Sequence, residues 1–318
     1  MWLLVCPGAG LAETAQTRAS DAARWVPAFS FFSGAQIREY EGSVAQFDLD
    51  DPVAPDEGSA SAVFAFVGFS AEVSSPKLAG ERGPRIFAHV DASLSFDSNR
   101  AVAGEGSPGP IEYPVNGAGN PLANSPEVGM LGRGTSLRAQ AEPLVVSAGA
   151  GLAFEFETLG RKLRLKPSVE WLWQETTTSA ALGQVVSTLV AFGSPFCSQT
   201  AINGVPGGPQ PCAGAFFGSS ETKAFHSLGP GFEVEMDAAR VGPIVLALYA
   251  SGQAYRLLGN REINVTASGF LEIPEGFNPP SGELPAGVEN PVTMRSTFEL
   301  DPWHYRFGVG LRFRWLPE

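Results

Sequence analysis

A chain of 318 residues with 44% apolar side chains can bury a substantial core, yet it contains no apolar run of about 18 residues and so encodes no membrane-spanning helix. Its 37 glycines and 26 prolines disfavour a helical protein, and a net charge of −12 leaves nucleic acid without the basic face that phosphate binding needs.

The N-terminus, MWLLVCPGAGLA, has a short apolar core and a small-residue ending at Ala12. It reads as a truncated signal peptide, with 1–22 as signal and leader and 23–318 as one domain. Seven segments then alternate apolar and polar residues with a period of two, the mark of a strand with two unlike faces. In the first, Phe29, Phe31, Ala35 and Ile37 oppose Ser30, Gly34, Gln36 and Arg38. Val63, Ala65, Val67, Phe69, Ala71 and Val73 share the apolar face of the second, which puts Glu72 on the other. In the third, Ile86, Val90, Leu94 and Phe96 oppose His89, Asp91, Ser93 and Asp97. Leu144, Val146, Leu152, Phe154 and Phe156 oppose Ser147, Glu155 and Glu157 in the fourth. Leu163, Leu165, Val169, Trp171 and Trp173 oppose Arg164, Lys166, Ser168, Glu170 and Gln174 in the fifth. Leu228, Phe232, Val234 and Met236 oppose Ser227, Glu233 and Glu235 in the sixth; Ile244, Leu246, Leu248 and Ala250 oppose Tyr249, Ser251, Gln253 and Tyr255 in the seventh.

The connections alternate in length. Short ones fall at Ser74–Arg85, Thr158–Lys162 and Asp237–Pro243; long ones, rich in Gly, Pro, Asn and Ser, at Ala45–Ala62, Ser98–Leu137, Thr178–Lys223 and Gly259–Thr297. The first long loop gathers Asp48, Asp50, Asp51, Asp56 and Glu57, which is commoner as solvated loop charge than as a cation site. The third contains Cys197 and Cys212, expected to form a disulfide in an oxidising compartment. Neither a cofactor fingerprint nor a zinc-type cysteine pair is present, so no cofactor or metal is expected.

The last segment, WHYRFGVGLRFRW, alternates over its whole length: Trp303, Tyr305, Phe307, Val309, Leu311, Phe313 and Trp315 against His304, Arg306, Gly308, Gly310, Arg312 and Arg314. It makes eight strands, and a tilted strand of about 9–11 residues spans a bilayer. Arg306, Gly308, Leu311 and Phe313, with Trp315 beyond them, resemble the C-terminal assembly signal of bacterial outer-membrane β-barrel proteins. The short-turn, long-loop layout resembles the small members of that family. The resemblance implies an all-β fold: a closed antiparallel transmembrane β-barrel of eight strands, with short periplasmic turns and long extracellular loops. It also implies a bacterial outer-membrane location, contact with membrane lipid and lipopolysaccharide, and the barrel-assembly machinery as a partner. Two β-prone pieces, Val185–Phe192 and Ile263–Ile273, are expected as hairpin extensions outside the membrane; if they crossed it, the count would be ten. A soluble β-sandwich shares the alternation. It has no reason to place Trp25, Phe29, Phe154, Phe156, Phe313 and Trp315 at one end of the apolar face and Trp171, Trp173, Trp303 and Tyr305 at the other.

The inward residues expected to form a polar network are Arg38, Glu72, His89, Asp91, Asp97, Glu155, Glu157, Arg164, Lys166, Glu170, Glu233, Glu235, Arg306, Arg312 and Arg314. Eight strands leave an interior that side chains fill, and buried charges must be paired. The expected function is a non-enzymatic surface protein acting through its loops, in adhesion, envelope integrity or recognition, with the loop partner undefined. A narrow solute or ion channel is the alternative and an outer-leaflet lipid hydrolase the third. His89, Asp91 and Ser93 share a face, but His89 and Ser93 are about 13 Å apart along a strand, too far for a self-contained triad. Outer-membrane lipid A deacylases carry His-x-Ser on the lipid face; here His226 is followed directly by Ser227, which must face the other way.

Overall fold

The computed structural model describes residues 23–48, 51–52, 56–81, 83–96, 99–103, 129–158, 160–188, 212–272 and 289–316. The leader, Asp97 and the Cys197–Cys212 pairing lie outside the described residues. In chain order the strands are β1 (Val26–Asp48), β2 (Asp51–Pro52), β3 (Asp56–Glu81), β4 (Arg85–Ser95), β5 (Asn99–Ala103) and β6 (Gly129–Thr158). They continue with β7 (Arg161–Thr188), β8 (Cys212–Val241), β9 (Ile244–Leu258), β10 (Glu262–Glu272), β11 (Glu289–Leu300) and β12 (Trp303–Trp315).

Eight strands close into an antiparallel ring in the order β1, β3, β4, β6, β7, β8, β9, β12, and β12 returns to β1. Each ring strand pairs antiparallel with the next, through short turns at β3–β4, β6–β7 and β8–β9. Residues of β1 are paired on both sides at once: Phe31 lies opposite Leu311 on β12 and Phe69 on β3. No edge remains in this part of the sheet. The turns at one end are short because the chain reverses on glycine: Gly160 and Gly242 have φ of 71° and 58°, a region open to glycine without a Cβ penalty.

The other end departs from the expected long loops. β1, β3, β6, β7 and β8 run for 23 to 30 residues, far past the length a bilayer needs. Much of each predicted loop is therefore strand. Of the piece at Ile263–Ile273, residues 263–272 belong to β10, which among the described residues ladders with β11 alone, so it extends a hairpin and adds no strand to the ring.

Above the ring the sheet divides. Among the described residues, β10, β11, β1 and β3 form one four-stranded sheet, and β5, β6, β7 and β8 another. The two are not laddered to each other. Arg100 Nη2 reaches the Val63 carbonyl at 3.5 Å across one seam, and Lys223 Nζ donates to the Glu262 carbonyl at 2.6 Å across the other. Between the sheets lies an apolar core: Tyr40 and Val44, Val292, Met294 and Phe298, Ile263 and Val265 from one side, Leu137, Ala139 and Leu182 from the other.

The chain thus changes solvent preference along its own strands. In β1 the outward residues run Phe29, Phe31, then Glu39, Glu41, while the inward ones run Ser30, Gln36, Arg38, then Tyr40, Val44. The same reversal crosses from β12 to β11: outward Tyr305 and Trp303 give way to Thr297 and Arg295, and inward Arg306 and His304 to Leu300 and Phe298. The period-two geometry never changes; only the chemistry of each face does. Apolar outside with polar inside suits lipid, and the opposite suits water.

Candidate functional site: the charge-paired interior

The inner face of the ring supplies the site, because every second residue of each strand points there. At the turn end, Lys166 Nζ lies 2.5 Å from Glu72 and 2.9 Å from Glu233. Arg312 contacts Glu72 at 3.2 Å and Glu235 at 2.6 Å, and also pairs with Glu233. Arg164 joins Glu155 at 3.0 Å, Glu235 at 3.1 Å and Asp237 at 2.6 Å. Arg314 sits 2.9 Å from Glu235 and pairs with Asp237. Lys77 closes the group at 3.4 Å from Glu155. Lys77, Arg164, Lys166, Arg312 and Arg314 thus match Glu72, Glu155, Glu233, Glu235 and Asp237 in number. Each buried charge has an opposite one within reach, as the cost of desolvation demands. Aromatic faces supply further partners: Lys166 lies 4.4 Å from the Phe87 ring centre and Arg312 4.4 Å from that of Tyr249.

Further along the lumen a second group gathers. His89 Nε2 lies 3.0 Å from Glu170 and 3.4 Å from Asp91. Ser147 donates to Asp91 at 3.3 Å, and Ser168 donates to Glu170. Gly149 and Gly231 flank Glu170, where an added Cβ would come within 2.2 and 2.5 Å of its carboxylate and of the Ser168 hydroxyl. Ser93 turns away from His89 and accepts from Arg306 at 2.8 Å, so His89, Asp91 and Ser93 do not assemble into a relay. A cavity of about 30 Å³ lies among Asp91, Glu233, Arg306 and Arg312, room for one or two waters.

Three expected members stand outside the ion pairs. Glu157 is exposed at the ring's rim beside Lys162, where the strand has run out of ring to face. Arg38 and Arg306 are inward but meet no carboxylate at ion-pair distance among the described residues. Two members were not expected: Lys77 and Asp237 fall in stretches assigned to turns. Asp237 continues the odd-numbered parity of Glu233 and Glu235, the signal that identifies it; Lys77 follows a register shift in β3 that parity cannot cross.

On the outer face, Trp171 and Trp173 flank His226, whose ring stacks on Trp171 at 5.7 Å. Ser227 is buried on the opposite face and its hydroxyl has no hydrogen-bond partner in the protein. His226 and Ser227 therefore cannot act on one substrate.

These features define a class: an all-β chain whose eight antiparallel strands close a ring, apolar outside and charge-paired inside. No family model matches the chain, and no curated protein matches it. Among solved structures it is similar to Ail, the attachment invasion locus protein of Yersinia pestis, at 9% identity over 88% of this chain and 97% of that one, with a TM-score of 0.20. It is also similar to the outer membrane protease OmpT from Escherichia coli, at 8% identity over 90% of this chain and 97% of that one, with a TM-score of 0.17. At these scores neither likeness carries a functional reading, which rests instead on the residues above.

Proposed function

We propose that the ring is a transmembrane β-barrel in a bacterial outer membrane, and that the protein is a closed, non-enzymatic surface protein acting through the two-sheet extension outside the membrane. The location is supported by the outward face. Phe29, Phe31, Phe69, Val90, Phe232, Leu248, Phe307 and Val309 are large, apolar and exposed around the ring, a surface that water does not tolerate at this extent. Trp25, Phe154, Phe156, Phe313 and Trp315 edge it at the turn end, and Trp171, Trp173, Trp303 and Tyr305 at the other, as interfacial girdles do. The turns then face the periplasm and the extension faces outward, where it meets lipopolysaccharide and whatever partner the protein recognises. The signal at Arg306, Gly308, Leu311, Phe313 and Trp315 suits recognition by the barrel-assembly machinery.

The closed reading rests on one observation: the interior is filled at two levels, by ion-pair clusters within the ring and by an apolar core above it. An ion crossing would break the first and desolvate in the second. Purified protein in planar bilayers should show no steady conductance above background. A stable open level would overturn this reading in favour of a narrow channel.

A further inference from the structure

Where the lumen changes from polar to apolar, two guanidiniums and an imidazole stand together with no carboxylate at ion-pair distance among the described residues. Arg38, His304 and Arg306 retain 2%, 2% and 4% of their accessible surface. Arg306 lies opposite Gln36 on β1, and Ile37 opposite Tyr305, so Arg38 and His304 follow one residue on along the two strands, on the inner face. The electrostatic neighbours of His304 are Arg38 and Arg306, both positive. Those of Arg38 are Tyr40 and Arg306.

The available partners are neutral. Arg38 donates to the Gln174 amide oxygen, and the Gln36 oxygen, with the amide turned toward it, accepts from Arg38 Nε at 2.6 Å and Nη2 at 3.1 Å. Arg306 donates to Ser93 and covers the Phe66 ring at 4.2 Å. Arg38 Nη1, Arg306 Nε and both ring nitrogens of His304 have no hydrogen-bond partner in the protein, with the phenols of Tyr40 beside Arg38 and Tyr255 beside Arg306 as further neutral neighbours. The carboxylates that face Arg306 are Asp91 and Glu170: Glu170 is engaged by His89 and Ser168, Asp91 by His89 and Ser147 through Oδ2 alone, and neither stands at ion-pair distance from Arg306 among the described residues. Glu170 is four residues below Gln174 on β7, about 13 Å along the strand, so it does not neutralise Arg38. Immediately beyond lie Tyr40, Phe298 and Leu300, which offer no charge.

An unpaired buried guanidinium is costly, and its open N–H donors point to an acceptor that carries negative charge. We propose that this layer binds a small inorganic anion, a halide of chloride size, held by Arg38 Nη1, the His304 N–H and Arg306 Nε. The anion completes the charge pairing that the protein's own carboxylates supply nearer the turns. The site depends on the inward faces alone and holds whether or not the lumen conducts.

The test compares detergent-solubilised full-length protein in sodium bromide, sodium chloride and sodium gluconate at one ionic strength. Bromide and chloride should raise the melting temperature saturably, and gluconate, too large for the layer, should not. Arg38→Gln and His304→Phe should each abolish the halide-dependent rise. Crystals grown in bromide should show an anomalous peak between Arg38 and His304. Equal melting in all three salts with no bromide peak means that water alone completes these donors and overturns the proposal. An equal halide effect in wild type and both variants also overturns it. Because the bromide peak is read in the wild type, the test survives a variant that fails to fold.

Discussion

At the scale of single residues, burial decides what a charge pair is worth. Lys166 is almost wholly buried and holds Glu72 and Glu233, with Glu235 at 3.8 Å. Replacing it by methionine leaves three carboxylates facing one another with Arg312 as their nearest relief. Breaking such a buried set costs about 3–5 kcal/mol. Arg261 and Glu299 are 2.7 Å apart but 33% and 37% exposed, and lie on the extension. Exposed pairs contribute about 0–1 kcal/mol. Urea titrations of protein refolded into lipid vesicles should therefore show Lys166→Met lowering the midpoint steeply and Arg261→Met barely moving it. Equal shifts would mean that the interior is wet enough to screen its charges. Most of this network was legible from parity: Glu72, Lys166, Glu233, Glu235 and Arg312 alternate with lipid-facing neighbours. Parity says only which way a residue points, so it could not show that Arg38 and Arg306 lack carboxylates while Arg164 has three.

At the scale of elements, the last strand closes the ring and, in the proposed function, also anchors and signals. β12 joins β9 to β1 and so closes the ring. Its Gly310 also has a packing reason, since an added Cβ would lie 2.5 Å from the Phe31 carbonyl oxygen and 2.7 Å from the Tyr249 ring. Phe313 and Trp315 sit at the turn end, and Trp303 and Tyr305 at the other, all with rings outward. If Phe313 and Trp315 serve the end signal as well as the girdle, Phe313→Ala with Trp315→Ala should cut the membrane-inserted amount and leave chain for degradation in the periplasm. Trp303→Ala with Tyr305→Ala removes similar aromatic area and should cut it much less. Equal losses would leave only the girdle. The strands of the ring were readable because an apolar outer face and a charged inner one force a strong alternation. The extension was not, because it alternates in the inverse sense within segments crowded with Gly and Pro. Ile263 and Val265 against Asn264 and Thr266 carry the same period as Phe29 and Phe31 against Ser30. The faces they serve are exchanged, so a search for lipid-facing strands passes over them. A sandwich, set aside for the whole chain, describes this upper part.

For the whole molecule, under the proposed transmembrane reading, the exchange of faces marks where the membrane ends. Outward residues become polar at Glu39 on β1, Ser61 on β3, Glu175 on β7 and Asp301 after β11, all at the same end of the ring. At the opposite end Ala239 and Gly242 sit in the β8–β9 turn region, close to Trp315, which pairs with Ile244. The two levels are separated by the full length of β12, 13 residues, or about 43 Å along the strand. With the tilt usual in a barrel this covers a hydrocarbon core of about 30 Å and its interfaces. A residue in the extension should therefore be reachable from outside the cell, and one in the turns should not. Ser220 is exposed on β8 above the band, and Ala239 is exposed on the same strand at its turn-end rim, opposite Leu246. Cysteine placed at Ser220 should react with a membrane-impermeant maleimide on intact cells. Cysteine at Ala239 should react only after the outer membrane is opened, with the parent chain measured beside both to subtract its own thiols. Both residues lie on one strand, so the comparison varies depth alone. The reverse pattern would turn the barrel over and place the apolar-cored extension in the periplasm. Labelling of both on intact cells would remove the membrane from between them, and the ring would have to find another apolar partner for its outer face.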